Sequence, residues 1–325
     1  MARQTLGYLR TLFEREGIAP RKRYGQNFLI DLNLHDVIVA AGEVGPNDVV
    51  LEVGPGAGAL TRRMADLGAA VIAVEIDPAM ARLTRNAVEG RPNVRVLQRD
   101  ALANKNRIAP EVLDAVRAGL AVDPVARRFK LVANLPYNVA TPILTNLLVA
   151  EEPRVELMAV TIQWEVAERI VATPGTSAYG ALSVLTNALA SAEIVRKLPP
   201  SVFWPRPLVD SAIMVIRPDP ARRTRLGDVV WFQSVIRRVF NHRRKNIRRV
   251  LHGYYRDMLT KSDIEDLLSQ AELAPDARAE TMTVDQLVGL AHRLKERLHA
   301  APNWDGNSNS SEDSEDALDE KDDDE

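Results

Sequence analysis

The chain has 325 residues, 46% hydrophobic and 26% charged, enough to bury a sizeable core in two domains or in one domain with an appendage. It contains no cysteine and no apolar run of 18 residues, which argues against disulfides, thiolate chemistry, Cys-ligated zinc and a membrane span, and fits a cytoplasmic setting. The net charge of −2 hides an asymmetry: residues 303–325 hold 11 acids and one lysine, so a tail of −10 leaves the remainder at +8. A basic body suits a polyanionic partner, and the tail lacks the apolar content to fold. That tail is expected to be disordered, either as a solubilising appendage or as an electrostatic mimic of nucleic acid.

The opening stretch "MARQTLGYLRTLFEREG" has no apolar core of the kind a secretory signal needs. The first half then alternates strand and helix, the pattern of a parallel α/β sheet. "DVVLEV" (48–53) is a buried strand ending in glycines, followed by the helical "GALTRRMADLG"; "AAVIAVEI" is a second strand, closed by Asp77-Pro78 as helix cap and first turn. "NVRVLQRD" and "KLVAN" read as strands three and four, with 101–129 between them as a partly helical surface excursion. Beyond Tyr137, "TPILTNLLVA" reads as a helix opened by a Thr-Pro cap, and "VELMAVTI" and "SAIMVIRP" as strands flanking the helix "QWEVAERIVA". From about Gly227 the period is helical throughout. The domains are therefore expected at 1–220 (cofactor and catalysis) and 227–300 (helical), with the acidic tail from 303.

Gly54-Pro55-Gly56-Ala57-Gly58 stands between a buried strand and a helix, where glycines let a ligand approach the backbone. The spacing is G-x-G-x-G, not the G-x-G-x-x-G of a dinucleotide site, which disfavours a nicotinamide-dependent dehydrogenase. Glu75 ends strand two, 21 residues after Gly54, where a carboxylate can accept both ribose hydroxyls. Asp100 ends strand three, within reach of an adenine amino group. Singly these residues read as a tight turn, a surface acid and a helix cap. Together, on one sheet edge, they describe an adenosine without a pyrophosphate. The five histidines show no metal-ligand spacing, and no metal is expected.

Asn134-Leu135-Pro136-Tyr137 ends strand four on the same edge. The Asn134 amide oxygen can accept from an amino group, Pro136 stiffens the turn so that the next carbonyl is held in place, and Tyr137 offers a flat face to a base. This suits chemistry on an exocyclic aromatic amine, whose lone pair is delocalised. Two acceptors aimed at its hydrogens favour a more tetrahedral nitrogen and stabilise the charge developing there. The alternative is a capping asparagine beside a packing tyrosine.

With "NLPY", "RKRYGQNFLID", "VLEVGPGAGALT", "VIAVEID", "QRDAL", "PPSVFWPRPLVDSAI" and "FNHRRKNIRRVL" in this order, the chain resembles the ribosomal RNA adenine dimethyltransferase family over about residues 18–295. The resemblance implies a Rossmann-like methyltransferase sheet with a smaller all-helical C-terminal domain, and S-adenosylmethionine (SAM) as methyl donor. It implies N6-dimethylation of two adjacent adenosines in a hairpin loop near the 3′ end of small-subunit (16S) rRNA during ribosome assembly. It sets Gln26, Asn27 and Leu29 along the methionine and ribose end of SAM with Gly54 and Gly56, Glu75 on the ribose, Asp100 and Ala101 on the adenine, and Asn134 between cofactor and target. Phe203 is implied to close over the flipped base opposite Tyr137. Residues 101–129, Trp204 and the acidic tail depart from the family pattern.

"RRVFNHRRKNIRRV" carries seven Arg/Lys within 237–249, and on one helix Arg237, Arg244 and Arg248 would share a face. With Arg243 and Lys245 these are expected to hold RNA phosphates, as are Arg21, Lys22 and Arg23 beside the cofactor loop. The bland alternative is a solvated basic face. The expected partner is small-subunit rRNA in an assembling subunit, met by a monomer. Competing readings are an rRNA-binding assembly factor with little catalysis, and an adenine methyltransferase acting on 23S rRNA.

Overall fold

The computed structural model describes residues 5–21, 24–122 and 127–300; Lys22, Arg23 and the acidic segment 303–325, all singled out above, lie outside the described residues. The chain divides into two compact units. One comprises the residues up to Glu168 with Ala190–Pro218, and the other comprises Arg169–Leu189 with the residues from Asp219 onward.

The strands of the first unit are β1 (Phe28–Leu29), β2 (Asp48–Val53), β3 (Ala70–Glu75), β4 (Val94–Gln98), β5 (Leu102–Asn104), β6 (Arg107–Ile108), β7 (Arg128–Asn134), β8 (Leu157–Gln163), β9 (Ala190–Leu198), β10 (Phe203–Trp204) and β11 (Ser211–Pro218). Seven of them form one sheet in the order β4-β3-β2-β7-β8-β11-β9. The first five run parallel and β11 runs antiparallel to both its neighbours, which is the Rossmann-like α/β class expected from the sequence. Central strands covered on both faces are buried over most of their length and mainly apolar, so β2, β7 and β8 are legible as runs. β9 is an edge strand whose exposed positions carry Glu193, Arg196 and Lys197, and the sequence reading passed over it.

Several expectations are corrected. Residues 101–129 are not a surface excursion: after the small β5–β6 pair, the helix Pro110–Ala121 buries Val112, Ala115 and Val116 as the crossover between β4 and β7. A parallel connection needs such a helix, and its polar outer face had masked it. The helix after Tyr137 starts at Ala140 with Val139 as an N-cap that makes no side-chain bond, so Thr141 and Pro142 fall inside its first turn. Residues 169–189, expected in the cofactor domain, cluster with the helical unit, because the apolar helix Ala181–Leu189 buries Val184, Leu185, Ala188 and Leu189 there. In that unit Trp231 Nε1 donates to Ala291 O at 2.9 Å, Tyr179 Oη donates to Met282 O at 2.9 Å, and capping boxes at Thr260 and Thr283 start two of the helices.

A charged pair lies inside the first unit. Lys130 Nζ is 2.9 Å from Asp48 Oδ2 and donates to Gly42 O at 3.0 Å and Glu43 O at 2.6 Å, with both side chains buried. All three ammonium protons are therefore satisfied, and Asp48 also accepts from Arg128 Nε at 3.0 Å and from the Gly45 N–H at 2.8 Å. Lys130→Met removes one partner and leaves the carboxylate underpaired, which should cost about 3 kcal/mol. Urea unfolding is expected to show the lowered midpoint.

Candidate active site

The chain runs from β2 outward to β3 and β4, then crosses back to β7 and β8 on the other side of β2. That reversal opens a crevice at the carboxyl ends of β2 and β7, where ligands bind in open α/β sheets. Gly54 follows β2, Glu75 ends β3 and Asn134 ends β7, so three of the residues singled out from sequence meet there. The crevice is a cleft of about 940 Å³, counting the space open to solvent.

The glycine loop is shaped by steric necessity. Gly54 and Gly56 have φ of +75° and +58°. A Cβ on Gly54 would lie 2.8 Å from the Pro136 ring, and one on Gly56 would lie 2.8 Å from the Phe28 ring. The loop is held by Gly54 N–H donating to Val74 O at 2.9 Å and by Thr84 Oγ1 donating to Gly56 O at 2.9 Å. Thr84 was not anticipated, because a threonine within a helix carries no signal of a tether to a loop 28 residues earlier.

Glu75 is buried, and its two oxygens accept from Asp77 N–H at 2.9 Å and Gly56 N–H at 3.4 Å. Burial pushes its carboxyl up to about 7 against those two bonds. Beneath the loop Glu52 is also buried, and burial, with Glu75 adding in the same direction, pushes it up to about 8. The only hint of Glu52 in the sequence was an acid inside an apolar strand. Asp100 is exposed at the rim, with Oδ1 accepting from Leu102 N–H at 2.9 Å, and Ala101 beside it is buried. Ile76 also lines the cleft and is 41% exposed, offering an apolar face that sequence reasoning missed because it continues a strand of like residues.

The donor set fits SAM. The cation among the described lining residues is Arg99, and it is paired with Glu111 at 2.8 Å, while Glu75 and Asp100 bring acids. Such a cleft repels a pyrophosphate and suits a ligand with ribose hydroxyls, an adenine and a positively charged end.

The N-terminal segment closes one wall. Gln26 Oε1 accepts from Arg21 N–H at 2.8 Å and its Nε2 donates to Asp77 Oδ2 at 3.3 Å; Arg21 itself stands 3.9 Å from the same carboxylate. Asn27 lines the cleft, whereas the Leu29 side chain is buried in the apolar core and is absent from the lining. Phe203 is similarly placed: it pairs with Leu29 across β1 and β10, is 3% exposed, and in this conformation has no open face for a base. Both placements have one cause, the β1–β10 ladder, whose pleat turns these two side chains inward.

Asn134 Nδ2 donates to Asn27 O at 2.9 Å, which fixes the orientation of the amide, and Oδ1 is buried with no partner among the described residues. A buried unpaired acceptor costs about 1–3 kcal/mol, a deficit that an entering N–H removes. Leu135 is buried, with its N–H donating to Thr161 O at 3.1 Å, and its own carbonyl accepts from no described backbone N–H. Pro136 packs on Gly54. Tyr137 is half-buried with Oη 2.6 Å from Ser211 Oγ, and burial raises its phenol above the ordinary value.

In the helical unit the basic segment is not one helix. Val229–Asn241 and Ile247–Tyr255 are separate, so Arg237, Arg244 and Arg248 do not share a helical face. The break comes at His242–Asn246, where Asn246 caps the second helix. Arg243 donates to Ser177 O at 3.0 Å and Tyr179 O at 3.2 Å as an internal brace, and Arg248 pairs with Glu265 at 2.6 Å. Arg244 and Lys245 are exposed and make no ion pair among the described residues; Arg237 is exposed and has partners of its own.

The family model described as ribosomal RNA adenine dimethylase matches residues 18–295. The chain belongs to this family. It is 39% identical over 288 residues to the Ribosomal RNA small subunit methyltransferase A of Pelotomaculum thermopropionicum, covering 87% of this chain and 94% of that protein. A protein of the same name from Streptococcus pneumoniae is 38% identical over 294 residues, covering 88% and 96%. Among solved structures, the 23S rRNA methyltransferase ErmE is 29% identical with a TM-score of 0.56, covering 83% of this chain and all of that one. A dimethyladenosine transferase from Plasmodium falciparum, 23% identical, shares the fold with a TM-score of 0.66, covering 82% and 97%. The enzyme is thus a SAM-dependent rRNA adenine dimethyltransferase.

Two outcomes test the site. Gly56→Ala sets a methyl group against the Phe28 ring at a strained φ, so SAM affinity measured by calorimetry should fall more than tenfold with the circular dichroism unchanged. The pH dependence follows from Glu75. Between its ordinary value of 4.5 and about 7 the folded chain keeps a proton that the unfolded chain has lost, so the stability Glu75 contributes is full below 4.5 and is lost as pH rises through 7. Ribose hydroxyls donate best to the ionised form, so SAM affinity should rise from pH 6 to pH 8 with proton release, and Glu75→Gln should lower the affinity and flatten that dependence.

Proposed function

We propose that the enzyme methylates N6 of two adjacent adenosines in a hairpin loop near the 3′ end of small-subunit 16S rRNA, acting as a cytoplasmic monomer on an assembling subunit. The small-subunit target is supported by relatives of that name at 37–39% identity over nearly their full length, against 29% for the enzyme named for 23S rRNA. The observation that carries the chemistry is the buried Asn134 Oδ1, oriented by the Nδ2–Asn27 bond and without a partner among the described residues.

When bound, SAM would supply an electrophilic methyl group and leave a neutral thioether, and the proton that the methylated nitrogen loses at each transfer would pass to solvent. Asn134 Oδ1 and Leu135 O accept the two N6 hydrogens of the target adenine, drawing the nitrogen lone pair out of conjugation and stabilising positive charge on it. After one methyl has been added a single N–H remains for these acceptors, so the second transfer uses one of them. Tyr137, tied to Ser211, holds the ring plane. The pair reads an exocyclic amine, which uracil and guanine lack at that position. A base inside a duplex cannot reach the crevice, so the nucleotide is unpaired or turned out. Arg244 and Lys245 supply exposed charge for phosphates, and Arg21, Lys22 and Arg23 are proposed to guide the backbone beside the cofactor loop.

Transfer of labelled methyl from SAM to small subunits lacking the modification should give N6,N6-dimethyladenosine at an adjacent pair. Asn134→Ala should reduce the rate at least a hundredfold. SAM binding with no methyl transfer would support an assembly factor instead, and label confined to large-subunit RNA would overturn the substrate.

A further inference from the structure

Between β10 and β11 the chain turns through Pro205-Arg206-Pro207-Leu208-Val209-Asp210. Leu208 is fully exposed and Val209 is 45% exposed, and Leu208 is the most exposed large apolar side chain among the described residues. A leucine held wholly in water forgoes the burial that this side chain ordinarily gains. The loop that holds it there is fastened at its C-terminal end. Asp210 Oδ2 is 3.0 Å from Lys197 Nζ, Asp210 O accepts from Trp164 N–H at 2.9 Å, and Lys197 Nζ lies 4.4 Å from the centre of the Trp164 ring. The next residue, Ser211, is bonded to Tyr137 Oη at 2.6 Å. Leu208 is three residues from Ser211, so at most about 11 Å of chain separates it from the anchor of the base-stacking tyrosine.

Resting on the function proposed above, we infer that Leu208 is a wedge. When the target adenosine turns out of its stack into the crevice, Leu208 enters the space it leaves and keeps the neighbouring bases apart. An apolar side chain inserted at a base step is an established way of holding a nucleic acid open. The surroundings favour RNA over a protein as occupant. Leu208 and Val209 form a patch far smaller than the roughly 800 Å² per partner of a stable protein interface, and the exposed cation Arg206 stands two residues before Leu208 in the same loop. Arg206 makes no ion pair among the described residues, which leaves its charge available to a phosphate. The two prolines limit backbone freedom, so little order has to be gained on binding.

The test is steady-state methylation of unmodified small subunits by wild type, Leu208→Ser and Leu208→Met, with particle affinity and SAM affinity measured in parallel. The substituted side chain is solvated, so the fold is not at issue. Leu208→Ser should lower kcat about tenfold with both affinities within twofold of wild type, and Leu208→Met, which keeps an apolar wedge, should restore the rate. In a stem–loop RNA with 2-aminopurine at the target position, the fluorescence rise on binding should shrink for Leu208→Ser alone. A Leu208→Ser enzyme with wild-type kcat and fluorescence overturns the inference, as does one that loses only particle affinity, which would make the loop a docking contact. A wild-type protein that methylates no RNA would instead overturn the function on which the inference rests.

Discussion

The organisation of the first unit depends on the contact between Gly54 and Pro136. β2 and β7 lie side by side at the point where the strand order reverses, and each must end in a turn that leaves room for the other. A side chain at Gly54 would collide with the Pro136 ring, and a flexible residue at 136 would leave the Asn134 amide poorly aimed. The glycine loop and the Asn134–Tyr137 turn are therefore one steric unit. Phe28, which a Cβ on Gly56 would meet, extends that unit to β1, and the Asn134–Asn27 bond closes it.

Within this frame the electrostatics are unusual for a nucleotide cleft. Two carboxyls, Glu52 and Glu75, are buried on the strand side, and the described lining offers one arginine, already paired. Desolvation holds both carboxyls closer to neutrality than a surface acid would be. A cationic ligand recovers that penalty, which a phosphate-bearing one does not. Cofactor choice thus follows from which charges are buried as much as from the shape of the glycine loop.

The helical unit treats its basic residues unequally. Arg243 reaches backbone carbonyls at Ser177 and Tyr179 and braces the connection into the helix Ala181–Leu189, while Arg248 is engaged with Glu265. Arg244 and Lys245, in the turn between two helices, keep their charge exposed.

The sequence by itself determined the sheet class, the central strands as segments, and the glycines, acids and amide at strand ends that meet in the crevice. These rest on local signals: apolar runs for strands buried on both faces, glycines where a Cβ is impossible, and acids and an amide at strand ends. Only the tertiary structure decided the rest, and each case turns on a partner distant in sequence. The edge strand β9 reads as mixed polarity until β11 pairs with it. The helix Pro110–Ala121 looks solvated until the sheet covers one face. Leu29 and Phe203 carry motif positions yet face the core, because a two-residue ladder sets their direction. The Tyr137–Ser211 bond joins residues 74 apart. Periodicity reports which face of an element is buried, but which atoms meet across elements is settled only when the chain closes on itself.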